Sequence, residues 1–168
     1  MTNLSSRLKS HGIHLKFEGV IVAFLAVLCF SCSQHSLYEQ YQVVDKRTWE
    51  KDKTYYFSFN VNDTATLYNL TFEVRNNNMY PYQNLWLFTG EERPIGPLIS
   101  DTIECILADE YGKWSGHGIS LFQSEFPIRT NYKFKHSGVY TFSFRQGMRD
   151  STLTGIEEIG FRVEKAKD

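Results

Sequence analysis

Tyr68-Asn-Leu-Thr-Phe-Glu-Val-Arg75 decides the fold. Tyr68, Leu70, Phe72 and Val74 fall on one side of an extended chain, and Asn69, Thr71, Glu73 and Arg75 on the other. Successive side chains of an extended backbone point opposite ways, so this alternation predicts a strand with one buried face. The same period recurs outward from it. Phe57, Phe59 and Val61 oppose Ser58 and Asn60; Tyr140, Phe142 and Phe144 oppose Thr141, Ser143 and Arg145; Ile159, Phe161 and Val163 oppose Gly160, Arg162 and Glu164.

The segments between follow suit. Asn76-Asn-Asn78 is a turn signal. Tyr80-Pro-Tyr-Gln-Asn-Leu-Trp-Leu-Phe88 reads as a lead-in followed by a strand apolar on both faces, central in its sheet, which places Trp86 in the core. Pro81 belongs to the lead-in, since proline cannot donate to a ladder. Pro94, Gly96 and Pro97 mark a loop. Ile103, Cys105 and Leu107 share a face of the next strand, where Cys105 serves as a small apolar residue. Asp109-Glu-Tyr-Gly112 is a reversal with Gly112 free to take positive φ. Ile119 to Phe126 fits either a strand or a short helical turn, and Leu153 to Ile156 reads as a turn or loop. Many short strands, frequent turns and no strand–helix alternation predict an all-β chain folded as an antiparallel, jelly-roll-like β-sandwich.

The N-terminal part is of another kind. Val20-Ile-Val-Ala-Phe-Leu-Ala-Val-Leu-Cys-Phe-Ser-Cys32 is an apolar run that closes on a cysteine, with Arg7, Lys9 and Lys16 ahead of it. About a dozen apolar residues suit a signal peptide and fall short of the ~20 of a membrane-spanning helix. The run resembles a bacterial lipoprotein signal. Ser31 before the cut fits that pattern, while Cys29 and Phe30 stand where Leu and a small residue are preferred. Ordinary cleaved secretion and an uncleaved anchor are the rival readings. The lipoprotein reading divides the chain into a signal peptide over 1–31, a lipidated polar tether over 32–42 with lipid on Cys32, and a sandwich domain over 43–168.

Composition supports an exported domain and excludes some functions. The chain has 168 residues, and without the leader about 137 remain, near the common single-domain size. That remainder carries 15 basic and 18 acidic residues, a charge of about −3 with His neutral. Nothing there favours nucleic acid. Of three cysteines, Cys29 leaves with the leader and Cys32 takes lipid, so Cys105 has no partner for a disulfide. Stability must come from apolar burial, and 15% aromatic residues suit that.

Chemistry-bearing residues are few. His35, His117 and His136 show no metal-ligand spacing, and no metal or cofactor is expected. Ser115 lies two residues from His117, but a glycine-rich turn is the simpler reading of Trp114-Ser-Gly-His-Gly118 than a triad. Asp101, Glu104, Asp109 and Glu110 could pair for glycoside chemistry; as acidic residues on strands and turns they are first of all solvated. The aromatic set Trp49, Tyr80, Tyr82, Trp86 and Trp114 is the better candidate for contact. Tyr80, Tyr82 and Trp114 are the residues expected to meet a partner or a glycan.

Several stretches in order carry a family resemblance. They are Tyr80 to Phe88, Asp101 to Asp109, Gly112-Lys-Trp-Ser-Gly-His-Gly118, Gly138 to Arg149, and Leu153 to Val163. With the leader, they resemble the gliding motility lipoprotein GldH family of the Bacteroidetes. The resemblance implies a non-enzymatic outer-membrane lipoprotein of the gliding and type IX secretion machinery. Its partners would be other envelope proteins, with no small-molecule substrate. Ser33, with no acidic run after it, fits a periplasm-facing position. A glycan- or peptidoglycan-binding lipoprotein is the alternative.

Overall fold

The computed structural model describes residues 36–167; the expected signal peptide and Cys32 lie outside the described residues. The strands are β1 (Ser36–Val43), β2 (Thr48–Glu50), β3 (Thr54–Val61), β4 (Tyr68–Asn77), β5 (Asn84–Glu92), β6 (Ile99–Ile106), β7 (Leu121–Tyr132), β8 (Gly138–Gln146), β9 (Thr152–Thr154) and β10 (Ile156–Lys165). One sheet runs β1-β10-β4-β7, a second β3-β8-β5-β6, and β2 and β9 form a small ribbon. All pairings are antiparallel. The two larger sheets pack face to face as the predicted sandwich.

Alternation builds the core. Phe57, Phe59 and Val61 of β3 and Tyr140, Phe142 and Phe144 of β8 are buried from one sheet. Leu70, Phe72 and Val74 of β4 and Ile159, Phe161 and Val163 of β10 meet them from the other. Ring contacts close the gap, with Phe72–Phe144 centroids 4.7 Å apart and Phe142–Phe161 4.8 Å. Aromatic pairs at such offsets add about 0.5–1.5 kcal/mol each beyond their buried area. Cys105 and Leu107 are buried as expected, and Gly112 turns the chain at φ 79°.

Three expectations need correction, and one open reading is resolved. Residues 36–42, read as tether, belong to β1. Its composition is polar because an edge strand keeps one face in water, yet Tyr38 stacks on Phe59 at 5.0 Å and β10 accepts the whole length as partner. Leu153 sits in a strand rather than a loop; three residues carry no period, and the partner is β2, where Trp49 lies opposite Leu153 and both are fully buried. The ambiguous segment from Ile119 becomes a strand from Leu121, paired along β4. Trp86 is not core: β5 buries Leu85 and Leu87 and turns Trp86 and Phe88 outward.

Gly155 fixes one junction. It takes φ 83°, and an added Cβ would fall 2.3 Å from the Tyr80 nitrogen. Only glycine lets β9 turn into β10 beneath that backbone.

Candidate functional site

The structure brings the three expected contact residues together at one end of the sandwich. Tyr80 and Tyr82 have ring centroids 5.9 Å apart, Tyr80 and Trp114 6.4 Å, and Trp114 adds Phe122 at 5.9 Å. Their exposure differs. Tyr80 is only 3% exposed and donates its hydroxyl to the Asn84 carbonyl at 2.8 Å, so it is a core residue and offers no ring face; burial pushes its pKa up. Tyr82 and Trp114 are half-buried. The Tyr82 hydroxyl donates to Asp150, and the Trp114 indole N–H to Asn78 Oδ1 at 2.9 Å. Trp49 is wholly buried, its indole donating to the Lys53 carbonyl at 2.9 Å.

The four acidic candidates are exposed, and Asp101, Glu104 and Asp109 are separately engaged. Asp101 lies 3.6 Å from Arg129, Glu104 accepts from Asn84, and Asp109 accepts the Tyr111 and Lys113 N–H groups at 3.0 and 2.9 Å within its own turn. His117 exchanges backbone hydrogen bonds with Gln123. This pair closes a reversal over residues 118–122, directly after Trp114 to His117. Burial pushes the Cys105 thiol up to about 12, with Glu104 adding to it, which keeps it protonated.

The outer faces of the two sheets differ in character. On β1-β10-β4-β7 the charges around Glu73 are paired with one another. Glu73 is 1% exposed although it sits on the outward face of β4. Tyr41 donates its hydroxyl to Glu73, Gln123 donates to it at 2.9 Å, and Arg162 lies 3.1 Å away. Glu73 Oε1 and Arg162 Nε nonetheless lack hydrogen-bond partners, so their approach is an ion contact off the N–H direction. Arg75 lies 4.2 Å from the centroid of the Tyr41 ring and pairs with Glu158, while Arg162 also pairs with Glu125 at 2.7 Å. Desolvation raises the Glu73 pKa against the lowering pull of Tyr41 and Arg162. The Tyr41 hydroxyl is pushed up to about 12 by burial and then by its bond to Glu73.

The outer face of β3-β8-β5-β6 is open. Register places Tyr56, Ser143, Gly90 and Ser100 in one row across four strands, and Thr54, Arg145, Phe88 and Thr102 in the next. Tyr56 is 61% exposed, Phe88 42% and Trp86 38%. Gly90 makes a dip: a Cβ there would stand 2.4 Å from Ser143 Oγ. A cavity of about 410 Å³ lies over these rows, lined by Tyr56, Phe88, Gly90, Ser143 and Arg145. A second, of about 400 Å³, shares Tyr56, Leu98 and Ser143 with it, and a third, of about 490 Å³, opens at Trp86 and Tyr82. Sequence reasoning missed this face because it assigned the strand of Trp86 to the interior on both sides.

The fold and its surfaces define a small antiparallel β-sandwich with one sealed and one open sheet face. The family model described as GldH lipoprotein matches residues 36–163, nearly the whole described domain. The chain belongs to the GldH lipoprotein family. It is 35% identical to the "Gliding motility lipoprotein GldH homolog" of Christiangramia forsetii over 158 residues, covering 89% of this chain and 96% of that protein. It is 32% identical to the "Gliding motility lipoprotein GldH" of Flavobacterium johnsoniae over 161 residues, covering 91% and 99%. Among solved structures, TmCBM61 in complex with beta-1,4-galactotriose aligns with 11% identity at TM-score 0.33, over 80% of this chain and 92% of that one.

Proposed function

We propose that this chain is a lipid-anchored, non-enzymatic component of a gliding motility and type IX secretion apparatus, held at the outer membrane through Cys32 and facing the periplasm. Family membership across the folded domain carries this reading. Cys32 at the end of an apolar leader supports the anchor. Lipid chains at about 0.8 kcal/mol per buried CH₂ give stable attachment when more than one is present. The engaged and exposed carboxylates support a holding role over a hydrolytic one.

The test is complementation of a gliding strain that lacks its own relative of this chain. The wild-type chain is expected to restore spreading and cargo secretion and to fractionate with the outer membrane. Cys32→Ala is expected to lose the membrane fraction and to restore neither. Full restoration by Cys32→Ala, or a wild-type chain that restores nothing, overturns the reading.

A further inference from the structure

We infer that the open outer face of β3-β8-β5-β6 is a binding groove for a neutral saccharide chain, centred on Phe88 and Arg145. The inference stands apart from the proposed motility role and does not depend on it. Four features of the face point to this chemistry.

First, the groove combines exposed rings with hydroxyls. Phe88 and Trp86 present apolar surface, and Ser143, Thr102 and Thr54 flank it with hydroxyl groups. A pyranose has an apolar C–H face and a rim of hydroxyls, and both halves of that pattern find a counterpart here. Second, Arg145 is free to donate. Its guanidinium lies 5.2 Å from the centroid of the Phe88 ring and forms no ion pair among the described residues. Held against a ring, it offers a planar fork of donors with little further ordering. Third, the charge around the groove is mixed and not a cluster of cations: Asp101, 3.6 Å from Arg129, lines the same cavity as Arg145, and Glu92 and Arg93 line the next, so no concentrated positive field selects an anionic chain. Fourth, the backbone is already spent. β5 and β8 are interior strands paired on both sides, so an extended polypeptide finds no free ladder groups on this face.

The length of the face is also suitable. Trp86, Phe88, Gly90 and Glu92 point outward in succession along β5, a run of about 20 Å at ~3.4 Å per residue, room for roughly four pyranose units. Gly90 deepens the middle of that run, and a side chain at this position would fill it.

The test uses the full lipidated chain in detergent micelles. The probes are neutral hexasaccharides of glucose, mannose, galactose and N-acetylglucosamine, with hexagalacturonate as anionic comparison and an extended Thr/Val peptide as polypeptide comparison. Titration calorimetry reads binding, and the tryptophan fluorescence change that Trp86→Phe abolishes reports on Trp86. At least one neutral hexasaccharide is expected to bind, with Phe88→Ala and Arg145→Gln each weakening it by about tenfold or more. Phe88→Tyr, which keeps the ring, should retain binding, as should Tyr111→Ala on an exposed turn away from the groove. Near-UV circular dichroism checks that each variant is folded. Absence of binding by all four neutral probes at about 10 mM overturns the proposal. So does binding that survives both groove variants, or a preference for hexagalacturonate. Binding of the peptide alone reassigns the face to a polypeptide partner.

Discussion

Glu73 is a carboxyl with almost no water around it, on the side of β4 that should be wet. Period two tells which way a side chain points; it does not tell whether that face is covered. Here Tyr41 and the arginines do the covering, and they come from β1, β10 and β4 itself. The same limit explains the two tryptophans. Trp86 has apolar neighbours on both sides and reads as core, yet it is exposed; Trp49 has polar neighbours and is buried. Strict counting from Leu85 and Leu87 would have turned Trp86 outward, whereas the burial of Trp49 depends on a partner about a hundred residues away. Glu73 also makes a pH prediction. Its raised pKa means the folded state keeps a proton that the unfolded chain has already released, so stability falls as pH rises from the ordinary carboxylate range through the raised value. Glu73→Gln removes this dependence. In urea unfolding from about pH 4 to 7, the variant should gain on the wild type as pH rises, while parallel profiles would refute the effect.

Among the elements, β3, β4, β8 and β10 were legible because each buries one face and exposes or polarises the other along its length. β1 was not, since Ser36-Leu-Tyr-Glu-Gln-Tyr-Gln-Val43 lacks a buried alternate set and gains its place from a cross-strand partner. The key contact is Tyr41 opposite Gly160. The ring lies against the glycine, and an added Cβ would sit 2.6 Å from the ring carbon Cε1. Gly160→Ala is therefore expected to lift Tyr41 and to cost about 1–3 kcal/mol, as overpacking does. Hydrogen exchange should show the amides of β1 opening while those of β8 stay protected. Unchanged protection in β1 would show that the ring is not what holds the strand. Of the expected contact cluster, the proximity of Tyr80, Tyr82 and Trp114 came through, but the burial of Tyr80 did not, because it follows from the turn at Gly155 packed beneath its backbone.

At the scale of the molecule, moving the start of the fold to Ser36 changes the proposed anchorage. Under the proposed function, only residues 33–35 of the sequence lie between a lipidated Cys32 and the start of β1, a covalent span of at most about 14 Å. In that arrangement the closeness holds the sandwich against its bilayer. Insertion of a 12-residue Gly/Ser segment after Ser33 would relax the restraint to a root-mean-square reach of roughly 20 Å. The expected result is normal outer-membrane fractionation and folding with impaired restoration of spreading; undiminished spreading would show that distance from the membrane is unimportant.

The pairing of β1 with β10 has a further consequence, in time rather than in space. Ser36 pairs with Glu164, so the two ends of the domain close on each other. A chain made and delivered from its N-terminus presents β1 first and its partner last. Until β10 arrives, β1 has no ladder to join, and β4 lacks its central neighbour. The sandwich therefore cannot close strand by strand during delivery. Its assembly waits for the final residues and proceeds through distant pairings, which is the slow route for a β-domain.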